Sequence, residues 1–123
     1  MENIVIIPAR GGSKGVPRKN LRIVDGRPLV AYAIQTALSA RGVDIVAVST
    51  EDEEIASVSR ILGAEIIKRP DELAEDEVSL PEVIKHAKLY FEDQEIVPKR
   101  FISLQPTGPL ITSQSLTKAI ALH

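Results

Sequence analysis

Residues 6–20 read IIPARGGSKGVPRKN. Three glycines, a serine and a lysine lie between Arg10 and the Arg18-Lys19 pair. Gly11, Gly12 and Gly15 let the backbone take positive φ and approach a ligand with no Cβ in the way. Successive amides of such a turn can form a nest for phosphate oxygens. Arg10, Lys14 and Lys19 can add charge-assisted hydrogen bonds, and Ser13 can donate one more. Taken singly, a glycine pair after a strand is more often a plain turn, and a lone surface lysine is usually solvated. Together, directly after a strand-like run, they point to an anion site. No window matches the P-loop pattern G-x-x-x-x-G-K-[ST], and Gly-Gly-Ser-Lys-Gly is not G-x-G-x-x-G, so a dinucleotide fingerprint is unsupported. The loop is long enough to wrap a triphosphate, whereas a tight turn grips only a pyrophosphate bridge.

The charge distribution agrees. The 123-residue chain has a net charge of −2, which argues against a nucleic-acid binder. Six of its 15 Lys and Arg residues fall within residues 1–27, against only Glu2 and Asp25. A basic loop on an acidic body suits a small anionic ligand better than a nucleic-acid surface, which needs a longer basic face. Cysteine is absent, which removes disulfides and thiolate metal sites and fits a reducing cytoplasm. No apolar stretch approaches the ~20 residues that span a bilayer, and Met1-Glu2-Asn3 lacks the regions of a signal peptide. The expectation is a cytoplasmic protein that binds neither nucleic acid nor membrane.

The elements that must carry the loop follow from periodicity. NIVIIP (3–8) is a short apolar, β-branched run, the pattern of a buried strand. Residues 28–41 have helical spacing, with Val30, Ala33, Ile34, Ala37 and Leu38 on one face, Pro28 opening and Gly42 closing the helix. Strands are expected at 44–49, 64–68 and 101–104. Between them, Thr50 and Glu53 form a capping-box pattern before a helix that buries Ile55, Val58, Ile61 and Leu62. Ser79 and Glu82 repeat that pattern before a helix that buries Leu80, Val83, Ile84, Ala87 and Phe91. A last helix is expected from about residue 115. Such β-α alternation with buried strands predicts an α/β fold, a mainly parallel sheet with helices on both faces. In the common 3-2-1-4 strand order, the first and fourth strands lie side by side at the switch point, where ligands bind at the carboxyl ends. Loops 9–20 and 105–112 follow those two strands. The chain stops inside an expected helix and leaves its fourth strand as an edge, which suggests the N-terminal part of a longer chain.

The motif IIPARGGSKGVPRKNL resembles the signature of the acylneuraminate cytidylyltransferases, and VSTEDEEIA, GAEIIKRPDELAED and LQPTGPL follow in that family's order and spacing. Cytidylyltransferases for 3-deoxy-manno-octulosonate resemble it less, having an arginine at the place of Lys14 and a proline at that of Asn20. The resemblance implies a Rossmann-like nucleotidyltransferase fold, with residues 1–123 forming its nucleotide-binding part. It implies a reaction in which CTP and a nonulosonic (sialic-type) acid give a CMP-sugar and pyrophosphate. Arg10 and Lys19 would then be catalytic, holding the triphosphate as charge gathers on the leaving pyrophosphate. Ala9, Gly11, Gly12, Ser13, Lys14 and Asn20 would bind the nucleotide, Arg69 would lie beside the cytosine, and Gln105 would face the sugar. Mg²⁺ would be the expected ion, with its aspartate ligands beyond residue 123 and none in this chain, and a homodimer is the expected assembly. Two positions depart from the family's Q-P-T-S-P-L-R: Gly108 removes a hydroxyl and Ile111 a cation. They keep open a related nucleotidyltransferase with another sugar or nucleotide, and the abrupt end keeps open a nucleotide-binding fragment without turnover. The acidic run around Asp71, Asp76 and Glu77 reads as a solvated face, and His86 and His123 receive no role.

Overall fold

The computed structural model describes residues 3–9, 21, 23–24, 26–69 and 80–104. In chain order the elements are β1 (Asn3–Pro8), β2 (Ile23–Val24), β3 (Arg27–Pro28), α1 (Leu29–Ser39), β4 (Ile45–Thr50), α2 (Glu53–Ile61), β5 (Glu65–Lys68), α3 (Leu80–Glu92) and β6 (Arg100–Ser103). The main sheet has four strands in the order β5-β4-β1-β6, all parallel. That is the expected 3-2-1-4 winding, so β1 and β6 are neighbours.

Alternation along the strands divides the core in two. Val5 and Ile7 of β1, with Val46 and Val48 of β4, pack on Val30, Ala33, Ile34 and Ala37 of α1 and Ile55 of α2. Ile4 and Ile6, with Ala47 and Ile67, pack on Ala87 and Phe91 of α3. Both faces of the central strands are therefore dry, and helices cover both. At the amino end, buried Asn3 ties the layers together. Its backbone amide donates to Asp44 Oδ2 (3.0 Å), and its side-chain amide donates to the Gly42 carbonyl (2.7 Å).

Several local expectations change. Leu38 and Ile61 are 48% and 85% exposed, so neither belongs to the core face predicted for it. Each sits in the last turn of its helix, where helical period continues but cover is incomplete: the Leu38 side chain lies beside the Gly63 turn after α2 and is half exposed. Ala31 joins the buried face of α1 instead. The cap of α2 is Asp52, whose Oδ1 accepts from the amides of Glu54 (2.8 Å) and Ile55 (3.0 Å). Thr50 is the last residue of β4, and its Oγ1 accepts from the Asp52 amide (3.1 Å). Glu53 pairs with Lys68 of β5 rather than closing a capping box. The β2–β3 hairpin is an added element, turning at Gly26 with φ +84°. The capping pattern at Ser79, the burial of Leu80 and the helix expected after residue 115 lie outside the described residues and side chains.

Candidate functional site

The carboxyl ends of the strands carry the candidate site. Parallel pairing puts Ile6 opposite Ser103, and the Leu104 amide donates to the Ile6 carbonyl (3.0 Å). Ala9 and Leu104 are thus the exits of adjacent strands, which run about 5 Å apart in such a sheet. Both are buried, and both belong to the core shared with α1 and α2. The expected basic loop joins the chain directly after Ala9, and Gln105 directly after Leu104. Arg10, Gly11, Gly12, Ser13, Lys14, Lys19, Asn20 and Gln105 lie outside the described residues. Of the expected site residues, Ala9 and Arg69 are described, and the structure brings them to one residue, Ser49.

Arg69 follows β5 immediately, and its amide donates to the Thr50 carbonyl (2.9 Å), continuing the ladder one residue past the strand. Its side chain is only 2% exposed. An arginine is seldom this buried unless its donors are matched. Here Nε donates to Ser49 Oγ (3.2 Å) and Nη2 to the Ser49 carbonyl (3.1 Å). The same carbonyl accepts from the Ala9 amide (2.9 Å). Ser49 is fully buried, paired in register with Pro8, and holds the guanidinium on one side and the exit of β1 on the other. Nothing in the sequence reading singled out Ser49. The available signal was a polar pair, Ser49-Thr50, ending an otherwise apolar strand.

The charges around this end are ordered. The amino terminus of α2, a usual seat for an anion, already has its amides committed to the Asp52 carboxylate, with Glu53 and Glu54 in its first turn. A phosphate is disfavoured there. The Lys68 partner holds the Glu53 carboxyl below its usual pKa. On the other face of the sheet, burial first and then the positive field of Arg69 hold the His86 imidazole below its usual pKa, so the neutral form is favoured. Among the described residues no group of three or more His, Cys, Asp or Glu side chains could hold a metal ion. Asp71, Asp76 and Glu77 lie outside them.

A cytidylyltransferase family model matches residues 4–123. The chain belongs to the cytidylyltransferase family. It is 40% identical over 120 residues to the N-acylneuraminate cytidylyltransferase of Escherichia coli O18:K1:H7, covering 98% of this chain and 28% of that protein. It is 38% identical over 120 residues to the pseudaminic acid cytidylyltransferase of Campylobacter jejuni serotype O:2, covering 97% of this chain and 52% of that one. The chain thus spans about half the length, or less, of these curated relatives. A solved structure of CMP:2-keto-3-deoxy-manno-octonic acid synthetase complexed with CTP superposes with a TM-score of 0.81 at 23% identity, over 98% of this chain and 46% of that one. At that identity the match speaks for the cytidylyltransferase fold. It bears out the Rossmann-like architecture that the strand order had indicated.

Proposed function

We propose that this chain carries the nucleotide-binding part of a cytidylyltransferase that couples CTP to a nonulosonic acid, giving a CMP-sugar and pyrophosphate. The observation that carries the proposal is the convergence on one end of the sheet. The glycine-rich basic loop joins the chain at Ala9, Gln105 follows the exit of the adjacent strand, and Arg69 is anchored on Ser49 between β1 and β5. The relatives named above are cytidylyltransferases for N-acylneuraminate and for pseudaminic acid, which supports a nonulosonic acid as the acceptor.

In this mechanism the anomeric hydroxyl of the sugar acid attacks the α-phosphorus of CTP in line. The new P–O bond forms as the bond to pyrophosphate breaks, and the hydroxyl proton passes to solvent. Such a transfer depends on position and electrostatics. Arg10 and Lys19 hold the triphosphate and offset charge on the departing pyrophosphate. Ser13, Lys14 and the amides of Gly11 and Gly12 fix the phosphates, while Ala9 and Asn20 meet the nucleoside side. Arg69 lies beside the cytosine and Gln105 meets the sugar acid. Mg²⁺ is the ion expected to accompany CTP. Among the described residues no group of carboxylates is placed to hold it. A cytoplasmic location and a homodimer belong to the same proposal.

The test is release of pyrophosphate by the intact protein with CTP and, in turn, N-acetylneuraminate, a pseudaminate and a legionaminate. Release that requires both CTP and one of the three supports the proposal. Release with another nucleotide or another sugar class, or none under any condition, contradicts it.

A further inference from the structure

We infer that Ser49 is a positioning residue: it sets the nucleobase-side arginine, Arg69, in a fixed relation to Ala9, the exit of β1. This inference rests on the proposed placement of CTP. Ser49 is fully buried and Arg69 is 2% exposed, so water does not compete well for either. The Ser49 hydroxyl accepts from Arg69 Nε (3.2 Å), and its carbonyl accepts from both Arg69 Nη2 (3.1 Å) and the Ala9 amide (2.9 Å). A single strand residue thus joins Arg69 to Ala9. The guanidinium plane is pinned at two of its nitrogens, a fork geometry that a point charge cannot reproduce. Ser49 itself touches no reacting atom. It acts through the orientation of Arg69 and the seat of Ala9.

Removing the hydroxyl while keeping the carbonyl separates these contributions. In Ser49→Ala the tie to Ala9 remains and the Nε acceptor is lost. Arg69 keeps its Nη2 bond to the Ser49 carbonyl and has interactions besides those with Ser49, so its side chain stays in place with its plane fixed at one nitrogen fewer. Ser49→Cys keeps the volume and supplies only a weak acceptor. The experiment titrates the intact protein and both variants calorimetrically with CTP and with inorganic tripolyphosphate, after circular dichroism has checked that each is folded. The expected result is a CTP Kd raised about 10-fold in both variants, the loss of one hydrogen bond to a charged donor, with the tripolyphosphate Kd within about 2-fold of wild type. Unchanged CTP binding in both folded variants overturns the inference and leaves the proposed function standing. Equal weakening of CTP and tripolyphosphate also overturns it, because Ser49 would then support the sheet as a whole. Wild-type protein that ignores CTP overturns the proposed function, and the inference with it.

Discussion

Arg69→Lys keeps the charge and removes the fork, so it tests whether geometry or charge matters at the end of β5. The arginine places two donors on Ser49, Nε on the hydroxyl at 3.2 Å and Nη2 on the carbonyl at 3.1 Å. A lysine Nζ can satisfy one of these acceptors, not both. The carbonyl still receives the Ala9 amide at 2.9 Å, so it is not left unmatched. The hydroxyl can rotate. The acceptor loss therefore falls at the low end of the usual range, about 1 kcal/mol. The ammonium is more strongly hydrated than a guanidinium, and burial in a site that leaves arginine 2% exposed adds to the penalty. About 2 kcal/mol of lost stability is expected for the lysine variant. Arg69→Met instead removes the charge and its desolvation while filling much of the same space. It leaves the Ser49 carbonyl matched by the Ala9 amide and the Ser49 hydroxyl able to rotate. Urea unfolding followed by circular dichroism should rank Arg69→Met as no less stable than Arg69→Lys, and CTP titration should show both weakened. If Arg69→Lys keeps wild-type stability and wild-type CTP affinity, the two-point anchor on Ser49 has no energetic weight and the reasoning fails.

The start of α2 gives a sharper local test: Asp52→Ala should lose about 1 kcal/mol by urea unfolding, while Glu53→Gln, which breaks an exposed pair with Lys68, should hardly move the midpoint. The reverse ranking would restore the Thr50–Glu53 capping box. Burial and the Arg69 field lower the pKa of His86 below 6.5 in the folded chain, so the unfolded chain takes up that proton first. The stability contributed by a neutral His86 is complete above about pH 6.5 and lost as pH falls through the folded value. His86→Gln should flatten the stability profile below about pH 6.5, and identical wild-type and variant slopes would count against it. Arg10→Ala and Lys19→Ala should each slow CMP-sugar formation by ~10²-fold or more without unfolding the protein. Near-normal turnover in both would remove their assigned roles.

Much of the fold was legible because its two central strands are dry on both faces. NIVIIP and DIVAVS have no polar side to misassign, and alternation with helices left few windings for a parallel sheet. The common strand order for such a winding puts the exits of β1 and β6 together. What sequence could not supply was how fully the last turn of each helix is covered. Leu38 and Ile61 keep the helical period, yet period alone carries no knowledge of what faces the last turn. The α2 cap shifted by two residues because Thr50 and Asp52 are both good capping types. The β4 ladder claimed Thr50 for the sheet and left Asp52 to satisfy the amides. The β2–β3 hairpin was overlooked although Asp25-Gly26 is a strong turn dipeptide, because its two-residue strands are too short to show alternation. At the site, residue types announced the basic loop, while Ser49 stayed hidden. A serine in an apolar strand acquires meaning only when a distant arginine is seen to fold onto it.

The central claim is that the basic loop and the strand ends hold CTP. Calorimetric titration of the intact protein and its Arg10→Ala variant with CTP, UTP, ATP and GTP in the presence of Mg²⁺ tests it most directly. The account predicts preferential binding of CTP by the wild-type protein, lost in Arg10→Ala. Equal binding of all four nucleotides, or CTP binding that survives in Arg10→Ala, would contradict it.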